Sequence, residues 1–177
     1  ITMNVIWITG LSGSGKSTIG KKVVEVLRKK GEQVVYLDGD ELRKVFVANY
    51  SNIDNHTRER RLALAMQYSR LCRFIVEQKI IVVIATISMF KEIHSWNKKN
   101  LLGYFEVYLK VPIDELRRRD PKQIYKKFDS GEISSVAGLD LEIDEPLDAD
   151  LILNFKEQVT SDELADNIIF KLNERNV

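Results

Sequence analysis

Gly10-Leu11-Ser12-Gly13-Ser14-Gly15-Lys16-Ser17-Thr18 follows directly on the apolar run Val5-Ile6-Trp7-Ile8. The stretch fits the phosphate-binding pattern G-x-x-x-x-G-K-[ST], with Gly10, Gly15, Lys16 and Ser17 at the required spacing. Glycines let the backbone curl until successive N–H groups face one anion. The helix that follows turns its positive end toward the same anion. Lys16 adds a point charge for the β- and γ-phosphates, and the Ser17 hydroxyl suits a Mg²⁺ ion. The candidate phosphate contacts are Gly10, Ser12, Gly13, Ser14, Gly15, Lys16, Ser17 and Thr18.

Size and composition narrow the rest. A chain of 177 residues with 44% hydrophobic content is the size of one α/β domain and can bury a full core. The net charge of +1 gives no whole-molecule field for a nucleic acid polymer. The single cysteine, Cys72, rules out an internal disulfide and lies in an apolar helical pattern that predicts a buried thiol. The apolar run Ile80–Ala85 is strand-sized, so no membrane span is expected. No secretory leader pattern precedes the first strand, and the expected location is the cytoplasm.

Five β-type runs alternate with helical patterns: Asn4–Thr9, Gln33–Leu37, Ile80–Ala85, Tyr104–Leu109 and Asp150–Asn154. Their near-continuous apolar character fits a sheet covered on both faces. Helices are expected over Ser17–Lys30, His56–Gln78, Met89–Asn100, Pro112–Arg119 and Ser161–Asn173, with Thr160 or Ser161 as the last N-cap. This order predicts an α/β fold of three layers around a five-stranded parallel sheet, as one domain over residues 1–177. Residues 120–146 are polar and strand-free, and Arg117, Arg118, Arg119, Lys122, Lys126 and Lys127 cluster at their start. Beside a phosphate loop, such a segment reads as a basic lid that closes over the nucleotide.

The loop binds a nucleotide without naming a reaction. Tyr36-Leu-Asp-Gly-Asp-Glu-Leu-Arg43 supplies the second signal, at the end of the second strand. Carboxyl ends of parallel strands line the ligand crevice, so Asp38 and Asp40 emerge beside the loop. Asp38 is assigned to Mg²⁺ together with Ser17, and Asp40 to orienting and deprotonating an attacking hydroxyl. The plainer alternative makes Asp40 the N-cap of the next helix. Ile87 and Ser88, after the third strand, are candidates for an acceptor's oxygens, with Lys91 nearby. Arg119 and Pro121 open the lid, where a guanidinium can stack on a base or fork onto a phosphate. His56 and His94 are isolated from other ligand-type residues and are read as surface or helix-cap groups. Trp7 and Trp96 are assigned to packing roles, and Phe74 to the core.

Taken in order, these motifs resemble the adenylylsulfate (APS) kinase family over Asn4 to Asn154. The matching segments are GLSGSGKST, LDGDELR, the Arg60-Arg61 pair, IATIS, FEVYLKVPIDELRRRDPKQIYKK, SGEI and Gly138-Leu139-Asp140. The resemblance implies a P-loop kinase fold and transfer of the ATP γ-phosphoryl group to the 3′-hydroxyl of adenylyl sulfate. It also implies Mg²⁺ dependence and a homodimer. The donor side carries over at the loop, at Asp38, Asp40 and Arg43, and at Arg119, Asp120 and Pro121. Lys126 and Lys127 match the lid's basic helix.

The acceptor side departs. The family reads Asp-Arg-x-x-Asn-x-Arg-Arg where this chain has Asp54-Asn55-His56-Thr57-Arg58-Glu59-Arg60-Arg61. Ile-Ser-Pro becomes Ile87-Ser88-Met89, and Tyr50 stands near the family's aromatic place. The lid Phe that stacks on the acceptor adenine falls at Val136. Losing such a platform costs ~1–3 kcal/mol per stacked base. The acceptor set is therefore Asp40, Arg43, Tyr50, Arg58, Arg61, Ile87, Ser88, Lys126, Lys127 and Val136. Adenylyl sulfate is the leading expected acceptor, and cytidine diphosphoramidate is the alternative, because a pyrimidine stacks less strongly. The rival readings are a kinase for a small alcohol such as a sugar acid, and a non-catalytic ATP-sensing module.

Overall fold

The computed structural model describes residues 4–47 and 56–175. Tyr50, Asp54 and Asn55 lie outside the described residues. Five strands alternate with helices: β1 (Val5–Thr9), β2 (Val34–Asp38), β3 (Ile81–Ala85), β4 (Tyr104–Lys110) and β5 (Leu151–Asn154). They form one sheet in the order β2-β3-β1-β4-β5, and every pairing is parallel. β1 lies centrally, with Trp7 beside Ile84 on one flank and Glu106 on the other. All carboxyl ends open at one rim, which is where an α/β sheet holds its ligand.

Helices α1 (Lys16–Lys29), α2 (Gly39–Phe46), α3 (Arg58–Val76), α4 (Lys91–Asn100), α5 (Ile113–Arg119), α6 (Ile124–Asp129) and α7 (Ser161–Arg175) complete the described chain. The sheet's alternation sorts them into two layers. Ile6, Ile8, Phe105, Val107 and Leu109 pack with Ile19, Val23, Ile168 and Leu172 on the α1/α7 side. Val5, Trp7, Val82 and Ile84 pack with Leu64, Tyr68, Cys72 and Ile93 on the α3/α4 side. Burial on both faces explains why the strands read as unbroken apolar runs. Element ends move by one or two residues from the sequence expectation, as helix fraying and capping allow. Gly31 ends the α1 region at φ 85°, the left-handed conformation glycine accepts without strain. Thr160 and Glu163 close a capping box before α7, Glu163 N–H donating to Thr160 Oγ1 at 3.2 Å and Thr160 N–H to the Glu163 carboxylate at 2.7 Å.

Two expectations and one alternative reading need correction. His94 is neither a surface nor a capping group. It is buried on α4, its Nδ1 lying 2.6 Å from Glu106 Oε1. The Tyr104 hydroxyl donates to the same carboxylate oxygen at 2.9 Å. Glu106 is wholly buried on β4; these partners replace the water lost by Oε1, while Oε2 has no hydrogen-bond partner among the described residues. Burial, with Glu106 second, pushes the Tyr104 hydroxyl well above its ordinary value. Phe74 is not core: it is 64% exposed on α3, on the turn of the helix facing away from the sheet. Asp40 does not cap α2. Asp38 does, its side chain accepting from the Asp40 N–H.

Cys72 is fully buried, and burial pushes its thiol up to about 12. Alkylation requires an accessible thiolate. The folded protein is therefore expected to resist iodoacetamide at pH 8 and to label fully in denaturant. Rapid labelling of the native protein, followed by mass spectrometry, would contradict the burial described here.

Candidate active site

One continuous cavity of about 1320 Å³ runs across the carboxyl rim of the sheet. The phosphate loop, the β2–α2 junction, the β3–α4 junction and the 120–146 segment all open into it. Ser12, Gly13, Gly15, Lys16, Ser17 and Thr18 line its loop end. Gly13 and Gly15 adopt φ 82° and 95°, conformations a side chain disfavours. Gly10 and Ser14 do not line the cavity. They shape the turn instead, since a Cβ on Gly10 would lie 2.7 Å from Ser14 Oγ and 2.9 Å from Leu109 O.

Lys16 Nζ donates to Leu11 O at 2.8 Å, holding the ammonium across the mouth of the loop. Burial foremost, and Lys122 second, lower its pKa to about 8, while Asp40 and Asp38 work in the opposite direction. Asp38 is fastened on every side. Its Oδ2 accepts from Ser17 Oγ at 2.6 Å and from the Tyr36 hydroxyl at 3.0 Å, and its Oδ1 from the Asp40 N–H at 3.0 Å. Partial burial raises its pKa, but the hydrogen bonds from Ser17, Tyr36 and the N–H groups of Asp40 and Glu41 outweigh it, and the carboxyl is held below its ordinary value. Tyr36 reaches Asp38 because residues two apart share one face of a strand. Ser17 and Asp38 thus present hard oxygen donors at one point beside the loop. Mg²⁺ binds through one or two such groups plus phosphates and water, so these residues fit the ion.

Asp40 is the second residue of α2, half-exposed, with its carboxylate paired to Lys122 Nζ. Gly39 permits the close approach of α2 to the end of β3. A Cβ there would lie 2.7 Å from Thr86 Oγ1, whose hydroxyl meets Ser88 Oγ at 2.7 Å. Ser88 takes φ 36°, and Thr9 Oγ1 donates to Ile87 O. Ile87 and Ser88 both line the cavity.

The 120–146 segment is organised by two carboxylates. Asp120 accepts from the N–H groups of Tyr125 and Lys126 at 3.2 and 3.0 Å. Asp140 accepts from Ser135 and Val136 N–H at 2.8 and 2.7 Å. The Tyr125 hydroxyl donates to Ser12 O at 2.8 Å, and Gly138 sits where a Cβ would strike Leu11 at 2.8 Å. The segment is therefore seated on the phosphate loop. Val136 is 6% exposed and packs with Leu116 and Tyr125. Pro121 and Arg119 stand at the rim. Arg119 donates to Gly13 O at 3.4 Å and lies 5.0 Å over the Phe155 ring.

The sequence-derived acceptor residues divide. Asp40, Arg43, Arg61, Ile87, Ser88 and Val136 line the cavity. Arg43 Nε is buried with no hydrogen-bond partner among the described residues. Arg58 does not line it. Its guanidinium is 3.2 Å from both Glu92 carboxylate oxygens, 3.6 Å from Asp144, and 5.3 Å over the Phe90 ring. Lys126 and Lys127 lie on α6 outside the lining, Lys127 3.7 Å from Glu132. Tyr50 lies outside the described residues. Sequence reasoning passed over Tyr36 and Thr86 as site groups, placed Lys122 only in the lid's basic cluster, and read His56 as a surface or cap group, whereas it lines the cavity and Thr57 caps α3. For Tyr36 the signal was its two-residue spacing from Asp38; for Thr86 it was the glycine opposite.

The adenylylsulphate kinase family model matches residues 2–154. A cytidine diphosphoramidate kinase of Campylobacter jejuni is 40% identical over 168 residues, covering 95% of each chain. A probable adenylyl-sulfate kinase of Pyrococcus abyssi is 32% identical over 169 residues, covering 96% of this chain and 94% of its own. The structure of the Mycobacterium tuberculosis APS kinase CysC in complex with AMPPNP and APS superposes with a TM-score of 0.85, at 29% identity, over 97% of this chain and 98% of that one.

The contact at Gly39 yields a stability test. Ala is a better helix former than Gly by ~1 kcal/mol, but overpacking against Thr86 costs about 1–3 kcal/mol. G39A is expected to lower stability, read as a lower urea midpoint at unchanged m-value. A raised midpoint would show that α2 does not approach β3 this closely.

Proposed function

The chain belongs to the adenylylsulphate kinase family, and on that premise we propose that it transfers the γ-phosphoryl group of ATP to the 3′-hydroxyl of a nucleotide acceptor. The observation that carries this reading is the shared cavity. Lys16, Ser17 and Asp38 line it together with Asp40, Arg43 and Arg61.

The loop amides and Lys16 hold the triphosphate and spread charge from the transferring group. Ser17 and Asp38 would hold Mg²⁺, which when bound neutralises phosphate charge. Asp40 accepts a hydrogen bond from the acceptor hydroxyl and takes its proton as the oxygen attacks phosphorus. The bond from phosphorus to the ADP oxygen breaks, leaving ADP and a 3′-phosphorylated nucleotide. Lys122 binds Asp40 before the acceptor arrives, and its ammonium then turns to the incoming phosphates. Residues 120–146 act as the lid of this one-domain enzyme, excluding water that would hydrolyse ATP. Arg43 and Arg61 hold the acceptor's anionic group.

For the acceptor, cytidine diphosphoramidate is favoured. Val136 stands where the family places its stacking Phe, and its side chain is spent inside the Leu116–Tyr125 cluster. No aromatic residue lies between Ser134 and Leu141, so this stretch of the lid offers no aromatic platform for a purine. The relative of 40% identity over the whole chain is named for the cytidine compound. Adenylyl sulfate, the leading expectation from sequence, remains a second reading, supported by the match to the APS-bound kinase. The enzyme is taken to work in the cytoplasm; no described helix is long and apolar enough to cross a membrane. A homodimer is kept as the working assembly on the family resemblance.

Side-by-side turnover with ATP, Mg²⁺ and each nucleotide tests the acceptor, and a higher kcat/KM for the cytidine compound is expected. Preference for adenylyl sulfate would reverse the order, and ATP binding without transfer to either would favour a sensor. K16A is expected to abolish transfer. D40N is expected to lower kcat by about 10²–10⁴-fold with little change in ATP KM; wild-type turnover by D40N would remove the assigned base.

A further inference from the structure

His56 precedes Thr57, the N-cap of α3, at a position the family pattern leaves open. It lines the cavity beside Arg43 and Arg61. Arg61 holds it at two points. Nε donates to His56 O at 3.1 Å, and Nη2 lies 3.4 Å from His56 Nδ1. The second Nη2 hydrogen serves Ser135 O at 2.6 Å. A guanidinium has donors only, so Nδ1 must offer its lone pair. In a neutral imidazole the proton then resides on Nε2. Burial, followed by the charges of Arg61 and Arg43, lowers the pKa of His56 and keeps the ring neutral at physiological pH. With Nδ1 engaged by Arg61, Nε2–H is the ring's remaining polar group, and Arg43 Nε is buried with no hydrogen-bond partner among the described residues.

We propose that His56 is a specificity-determining residue that donates its Nε2–H to an anionic oxygen of the acceptor's phosphate-linked acidic group. The inference rests on the kinase reading above and deepens it. Arg43, His56 and Arg61 line the same cavity, and both guanidinium charges act on the His56 ring, so the three together offer donors to a ligand. Such a seat takes an oxygen-rich anion and disfavours an acceptor that presents N–H or O–H groups there. The neutral ring adds direction without a third full charge, so the acceptor is held by geometry as well as by Coulomb attraction.

Two amides separate the ring's nitrogens. Gln places its amide nitrogen near the Nε2 position, and Asn places its amide oxygen near Nδ1. H56N therefore keeps a partner for Arg61 and loses the donor; H56Q keeps the donor. A hydrogen bond to a charged group accounts for roughly a tenfold to hundredfold change in affinity. With cytidine diphosphoramidate and adenylyl sulfate each as acceptor, H56N is expected to raise the KM of the preferred one by that factor. Its kcat and ATP KM should stay within about twofold, and H56Q should recover most of the loss. Unchanged acceptor KM in H56N, or equal losses in H56N and H56Q, would overturn the role of His56 and leave the kinase reading intact. Absence of transfer by the wild type to either nucleotide would overturn both.

Discussion

The carboxylate of Asp38 is the point on which the site depends. Ser17 from the loop, Tyr36 from the same strand and the first turn of α2 all donate to it. One side chain thus ties the end of β2 to the start of α1 and caps the next helix. An unpaired half-buried carboxylate would be costly; three donors make it an anchor instead. Its lowered pKa keeps it ionised at neutral pH, which both capping and cation binding require.

From that anchor the remaining geometry follows by short steps. Gly39 brings α2 within contact of Thr86, and Thr86 steadies Ser88 at the end of β3. On the other side, the segment after α5 is drawn over the loop through Tyr125, Gly138 and Leu11. Apart from the Thr86–Ser88 pair, these contacts involve residues far apart in sequence, yet each joins the carboxyl end of a strand or the loop beside it. The parallel order of the sheet makes this possible, because it delivers all those ends to one rim.

The sheet and the phosphate loop were legible in the sequence because their signals are local. Apolar runs of strand length, glycine spacing and the Lys-Ser pair need no knowledge of the rest of the chain. Long-range facts were not legible. The burial of His94 depends on Glu106 arriving from β4, and a lone histidine in a polar helix gives no hint of it. Phe74 reads as core by composition, but the helix presents it outward. Arg58 carries a charge suited to an anion, but Glu92, Asp144 and Phe90 take it up. In each case the partner, not the residue, decides the role.

Arg61 joins three stretches of chain through one guanidinium: its own helix, the turn at 56 and the loop at 135. Changing it releases the turn and the loop together, so the kinetic loss in such a variant cannot be assigned to one lost ligand contact. Substitutions at 56, 61 and 135 are thermodynamically coupled rather than additive. The free energy of holding an acceptor is therefore a property of the joined trio, and only a cycle of single and double replacements divides it among its members.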